Sequence, residues 1–138
     1  IAIGDASDCS ANRGIVIGVN GCTIASEGIA IGDNVDLATS DRAVALGNAI
    51  TISGSADSIT IGTQTNVSAD SAIAIGRDAS ATAARAVAIG RDVVAAKAST
   101  VAVTELETKL AGGGITMVSP NGTEYKLTVS DAGALVIT

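Results

Sequence analysis

Apolar and polar positions alternate in a unit that returns along most of the chain. A β-branched residue, a smaller residue, a second β-branched residue and a glycine follow one another as Ile1-Ala2-Ile3-Gly4, Ile15-Val16-Ile17-Gly18 and Ile29-Ala30-Ile31-Gly32. The unit returns as Val44-Ala45-Leu46-Gly47, Ile59-Thr60-Ile61-Gly62, Ile73-Ala74-Ile75-Gly76 and Val87-Ala88-Ile89-Gly90. It closes with the degenerate Val101-Ala102-Val103-Thr104. Successive fourth positions are 14, 14, 15, 15, 14, 14 and 14 residues apart. A period of two is that of a strand and not of a helix. A second, weaker strand lies three and five residues after the glycine, at Val35/Leu37, Ile50/Ile52, Thr65/Val67, Ala79/Ala81 and Val93/Ala95. Each repeat therefore predicts one coil: a short strand, a corner at glycine, a second strand, and a polar corner back.

Coils of equal length stack with their strands parallel, so about eight coils of 14–15 residues span roughly 35–40 Å. The first corner, at Gly4, Gly18, Gly32, Gly47, Gly62, Gly76 and Gly90, asks for a backbone conformation that a Cβ would resist. Stacking also turns equivalent positions into ladders. Five residues before the fourth position stand Arg13, Glu27, Arg42, Asp57, Ser71 and Arg85, whose signs alternate through the first four. Arg77 over Arg91 and Asp78 over Asp92 require diagonal pairing, and the two 15-residue steps imply a widened corner near Asp41 and near Asp57. The Ile/Val positions read as the filling of each coil. The middle residue then points the other way, so that Ala2, Ala30, Ala45, Ala74, Ala88 and Ala102 form a flat small-residue face on which another chain lies closely. The alternative is a solvent-exposed alanine row, a sticky stripe on an already apolar chain.

Composition agrees with a narrow, regular interior. Of 138 residues 47% are apolar, yet Tyr125 is the single aromatic residue, so Ala, Ile, Val and Gly must fill the core. Charged residues are 16%, against about 25% in ordinary domains. A lone chain has difficulty covering so much apolar side chain, and burial of one flank against other copies is the simple remedy. The net charge of −6 argues against nucleic acid or anionic lipid as partner. No uncharged stretch is long enough for a membrane-spanning helix, and no secretory signal opens the chain. The first residue lies inside a repeat, which reads as a fragment or processed product.

The run Ser71 to Asp92, SAIAIGRDASATAARAVAIGRD, closely resembles the head repeats of YadA-like trimeric autotransporter adhesins. The resemblance covers residues 1–104. It implies a left-handed parallel β-roll, and three such rolls packed side by side as a homotrimer.

After Thr104 the period stops. Residues 105–114 predict a turn or two of helix followed by a Gly112–Gly114 hinge, with Val103, Leu106 and Leu110 on one face as a brief coiled-coil junction of the trimer. Residues 115–138 read as a β-meander: Ile115–Val118, a Pro-Asn-Gly turn, Thr123–Val129, a second turn, and Ala134–Ile137. This end departs from the adhesin pattern. It is similar instead to the S-P-x-G-T-x-Y modules that end phage and prophage tail-fibre proteins, here Ser119 to Tyr125, which suggests a natural chain end at Thr138. The expected fold is thus all-β: a homotrimeric β-roll over 1–104, a short junction, and a small meander.

Candidate chemistry is sparse. With no His, serine-triad, His-base and most zinc chemistry are excluded. Cys9 and Cys22 lie nearly one coil apart; burial as small apolar residues is favoured over a disulfide, and a metal site from this pair is not expected. Asp5/Asp8 and Asp33/Asp36 fit no calcium-loop spacing and read as solvated corners. No catalytic residue, metal or cofactor is expected. A β-helical acyltransferase would need its His base, a fibre-borne glycan hydrolase its aromatic sugar platforms, and an ice-binding surface rows of Thr-x-Thr that only Thr63/Thr65 supplies. The expected function is a non-enzymatic structural and attachment segment of a trimeric surface fibre. A phage tail fibre on the virion that attaches to a host-cell receptor, glycan or protein, is placed first. The extracellular head of a bacterial adhesin, binding host cells or matrix, is the alternative.

Overall fold

The computed structural model describes residues 1–9, 13–20, 23–24, 27–37, 40–106, 114–130, 133 and 135–138. In chain order the strands are β1 (Ala2–Ile3), β2 (Asp8–Cys9), β3 (Gly14–Val19), β4 (Thr23–Ile24), β5 (Gly28–Leu37), β6 (Ala43–Ile52), β7 (Ile59–Thr63) and β8 (Asn66–Val67). They continue as β9 (Ile73–Arg77), β10 (Ser80–Ala81), β11 (Val87–Ile89), β12 (Val94–Ala95), β13 (Val101–Val103), β14 (Ile115–Val118), β15 (Glu124–Val129) and β16 (Leu135–Ile137). Among the described residues there is no helix. Two compact units result, Ile1–Thr104 and Glu105–Thr138.

The first unit is a parallel β-solenoid. Its main face stacks β1-β3-β5-β6-β7-β9-β11-β13, all parallel and in the register of the repeat: Ile15 beside Ile29, Ile29 beside Val44, Val44 beside Ile59, Ile59 beside Ile73, and so to Val101. From β3 to β13 the chain makes about six turns, and β1 adds an edge strand. The second strands form their own parallel ladder through β2, β4, the far halves of β5 and β6, β8, β10 and β12. In β5 and β6 both strands of a coil run through the corner as one ten-residue element.

Which side of the first strand faces inward differs from the sequence reading. Val16, Ala30, Ala45, Thr60, Ala74 and Ala88 are fully buried inside the coils, and Ala43, Ser58, Ala72 and Ala86 stand beside them. Ala102 is partly buried against the same core, and Ala2 lies exposed on the edge strand. The alanine row is therefore not the intermolecular face; the larger Ile/Val/Leu residues point outward. Volume is the reason. The second strand fills the interior with Val35 and Leu37, then Ile50 and Ile52, all buried. What remains across the same coils admits only Gly28 and Ala30, or Ala43 and Ala45. Two isoleucines turned inward there would overpack a space set by two close sheets.

The corners explain the chain length of a turn. Gly47 has φ +144°, and a Cβ on it would stand 1.7 Å from the carbonyl oxygen of Gly62, so the strands approach backbone to backbone. Two residues past the corner glycine, and from Arg42 onward five before it, sits a residue with φ near +55°, among them Gln64, Asp78, Asp57 and Arg85. Each turns its N–H onto a carbonyl of the preceding coil: Gln64 to Asn48, Asp78 to Thr63, Asp57 to Asp41, Arg85 to Asp70. These bonds offset the steric cost of the left-handed backbone, about 1–2 kcal/mol per residue. The extra residue of each 15-residue step lies in the polar corner, as the spacing predicts. There Ser40 is buried and its hydroxyl donates to the Ile52 carbonyl at 2.8 Å, while Gly54 (φ +63°) opens the next corner.

One coil carries polar groups inside. Ser58 donates to the Ala56 and Ala69 carbonyls, but the hydroxyls of Ser55, Thr60 and Thr65 are buried without a partner. Thr65→Val keeps the shape and removes an unsatisfied group. It is expected to raise stability by about 1 kcal/mol, read as a higher urea midpoint at unchanged slope.

The second unit is a three-stranded antiparallel sheet, β14-β15-β16, with Ile115 paired to Leu127 and Leu127 to Ile137. The Asn121 side chain closes its first turn, its carbonyl oxygen accepting from the Ser119 hydroxyl and the Thr123 N–H. Residues 107–110 of the helix expected after Thr104 lie outside the described residues; Val103 belongs to strand β13, and Leu106 is exposed in irregular chain. Leu110 and the Gly112–Gly113 hinge lie outside the described residues.

Candidate interaction surface

The outward side of the main sheet carries two columns of large apolar side chains. One runs Ile15, Ile29, Val44, Ile59, Ile73, Val87 and Val101; the other runs Ile17, Ile31, Leu46, Ile61, Ile75, Ile89 and Val103. All are half-buried or exposed; Ile61 keeps 39% of its surface and Ile89 42%. Parallel, in-register stacking makes the face continuous, and no charged residue interrupts either column. Its apolar surface is on the order of 1,000 Å2, against roughly 300–600 Å2 for the largest patch of an ordinary monomer.

Polar ladders border the face on both sides. On one side stand Arg13, Glu27, Arg42, Asp57, Ser71, Arg85 and Ser99. Arg13 is hydrogen-bonded to Glu27, Arg42 makes two bonds of 2.7 and 2.9 Å to Asp57, and Arg85 donates to Ser99 at 3.0 Å. The hydrogen bond from Arg42 holds the Asp57 carboxyl below its ordinary value, and the same bond raises the Arg42 guanidinium. That pair's contribution is present above the usual carboxylate range and fades as pH falls through the lowered Asp57 value. Both side chains are half exposed, so salt screens it. On the other side, Asp33 accepts from Asn20 at 2.7 Å and from Asn48 at 3.2 Å. Further along, Arg77 pairs with Asp78 and Arg91 with Asp92, each within its own corner and not diagonally between coils. A dry centre with a hydrogen-bonding rim is the anatomy of a protein–protein interface.

The remaining candidates assemble no chemistry. Asp33 is occupied by two asparagines. Cys9 is a half-buried free thiol, and Cys22, with its pairing, lies outside the described residues. Thr65 points into the core, so Thr63/Thr65 presents no two-threonine surface. Among the described residues no three His, Cys, Asp or Glu side chains gather as a metal site, and no helix is long and apolar enough to cross a membrane. The corner glycines are brought into one column, Gly18, Gly32, Gly47, Gly62 and Gly76, at the edge of the apolar face. The residues that make the face itself were missed as surface residues. Their size, against the Ala and Gly that alternate with them, was the available signal.

No family model matches the chain, and neither a curated protein nor a solved structure matches it.

Proposed function

We propose that the chain is a non-enzymatic structural and attachment segment of a homotrimeric surface fibre, with the Ile/Val/Leu face of each roll buried against two other copies. One observation carries the reading: a continuous, uncharged apolar face with polar ladders along both borders, too large for a chain that stays alone in water. Three copies are preferred because the repeat resembles trimeric adhesin heads. Stacked ladders in three parallel rolls give a stiff rod that presents many weak contacts at once. The S-P-N-G-T-E-Y segment favours a phage tail fibre, outside the cell on the virion and attached to a host receptor. A bacterial adhesin head shares the roll and differs in its target.

Labelled full-length chain incubated with bacterial cells, and separately with animal cells and matrix, tests the function. Retention on bacterial cells is expected, weakened by about 100-fold or more when the chain is made monomeric. Retention on animal cells or matrix alone contradicts the tail-fibre assignment and favours the adhesin. Retention on neither contradicts attachment.

A further inference from the structure

The second unit has an apolar face that none of its own described residues covers. Register places Ile115, Leu127 and Ile137 side by side in one row, and Met117 beside Tyr125 in the next. Alternation puts these five and Leu135 on the same side of the sheet, while Thr116, Val118, Glu124, Lys126, Thr128 and Val136 occupy the other. Leu135 keeps 69% of its surface and Ile137 63%; Ile115, Met117 and Tyr125 are also exposed. No residue of Glu105–Thr138 whose burial is described is buried. A three-stranded sheet of this size is not stable on its ladder hydrogen bonds alone; it needs its apolar face covered.

We propose that this face is a second self-association surface, occupied by the same face of other copies of the chain. The area fits. Each copy offers apolar surface on the order of 500 Å2, so two such faces bury on the order of 1,000 Å2 between them, the lower bound of a specific interface. The face holds no charge, so meeting its own likeness strands no ion, and the Tyr125 ring supplies a large rigid contact near its middle. The inference rests on the homo-oligomer proposed for the roll, which brings the copies together, but it uses entirely different residues.

Amide hydrogen exchange on the full chain, followed by segment, tests it. In the wild-type oligomer the amides of 115–118, 124–129 and 135–137 are expected to exchange slowly. Met117→Lys with Ile137→Lys is expected to release them while residues 43–103 stay protected, and Glu124→Gln on the opposite face is expected to leave them slow. Fast exchange in the wild-type oligomer overturns the proposal. So does slow exchange that survives the double lysine variant. Slow exchange that persists after dilution has made an Ile31→Asp/Ile61→Asp chain monomeric also overturns it, because the cover is then not another copy. If the Ile31→Asp/Ile61→Asp chain keeps the wild-type mass and loses it only when Met117→Lys and Ile137→Lys are added, the roll interface fails and this one stands, so the two readings fail separately.

Discussion

Replacing Gly47 with alanine is expected to destabilise the roll by about 3 kcal/mol or more, one of the largest single-site effects in the chain. The backbone at Gly47 has φ +144°, which side chains with a Cβ rarely adopt. The added methyl would also stand 1.7 Å from the Gly62 carbonyl oxygen, deep inside contact distance. No flexible side chain can yield, because the obstacle is the next coil's backbone. Gly62 meets Gly76 in the same way, at 1.9 Å. Coil stacking must therefore open locally, and the loss falls on the ladder bonds of both neighbours. Gly54→Ala is the contrast. Its φ is +63° but nothing lies within 4 Å of the added Cβ. Its cost is expected to be about 1 kcal/mol, from conformation alone. Urea unfolding of the two variants separates stacking clash from backbone strain. Equal midpoints would contradict the close approach of coils at Gly47.

The second large effect concerns association. Ile31 and Ile61 lie in the same outer column two coils apart, each with over a third of its surface exposed. Ile31→Asp with Ile61→Asp is expected to leave the coil interior intact, since neither side chain contributes to it. Burying a carboxylate without a partner at an interface costs several kcal/mol, so each copy's affinity is expected to fall at least a thousandfold. Thr51→Asp, an exposed site on the second strand's outer side, is the control and is expected to change nothing in the assembly. Circular dichroism should show the same β content in all three proteins. Loss of β structure in the double variant would mean that these isoleucines belong to the core after all.

Much of this architecture is legible in the sequence. The spacing of the motif fixes the register: Ile29 does lie beside Val44 and Val44 beside Ile59, and the weak second strand at Val35/Leu37 or Ile50/Ile52 is where the glycine offset puts it. The meander boundaries follow from the Pro120-Asn121-Gly122 turn and the alternation around Tyr125. The direction of the first strand's faces is not legible from alternation, because a period of two separates two sides without saying which is inside. Reading the larger hydrophobic residue as the buried one placed Ile31 in the core and Ala30 outside, the reverse of the structure. Weighing Leu37 and Ile50 against Ala30 and Ala45 within one coil would have resolved it, since only small partners fit beside them. Val103, read as the start of the junction, is instead taken up by the last strand of the growing sheet.

The central claim is that the outer Ile/Val/Leu columns are covered by other copies of the chain. Light scattering coupled to size exclusion, at low micromolar concentration, measures this most directly. The account predicts a mass of about three times the 13.3 kDa chain, falling to a single chain when Ile31 and Ile61 carry aspartate. A wild-type mass of one chain, persisting as concentration rises, would contradict it.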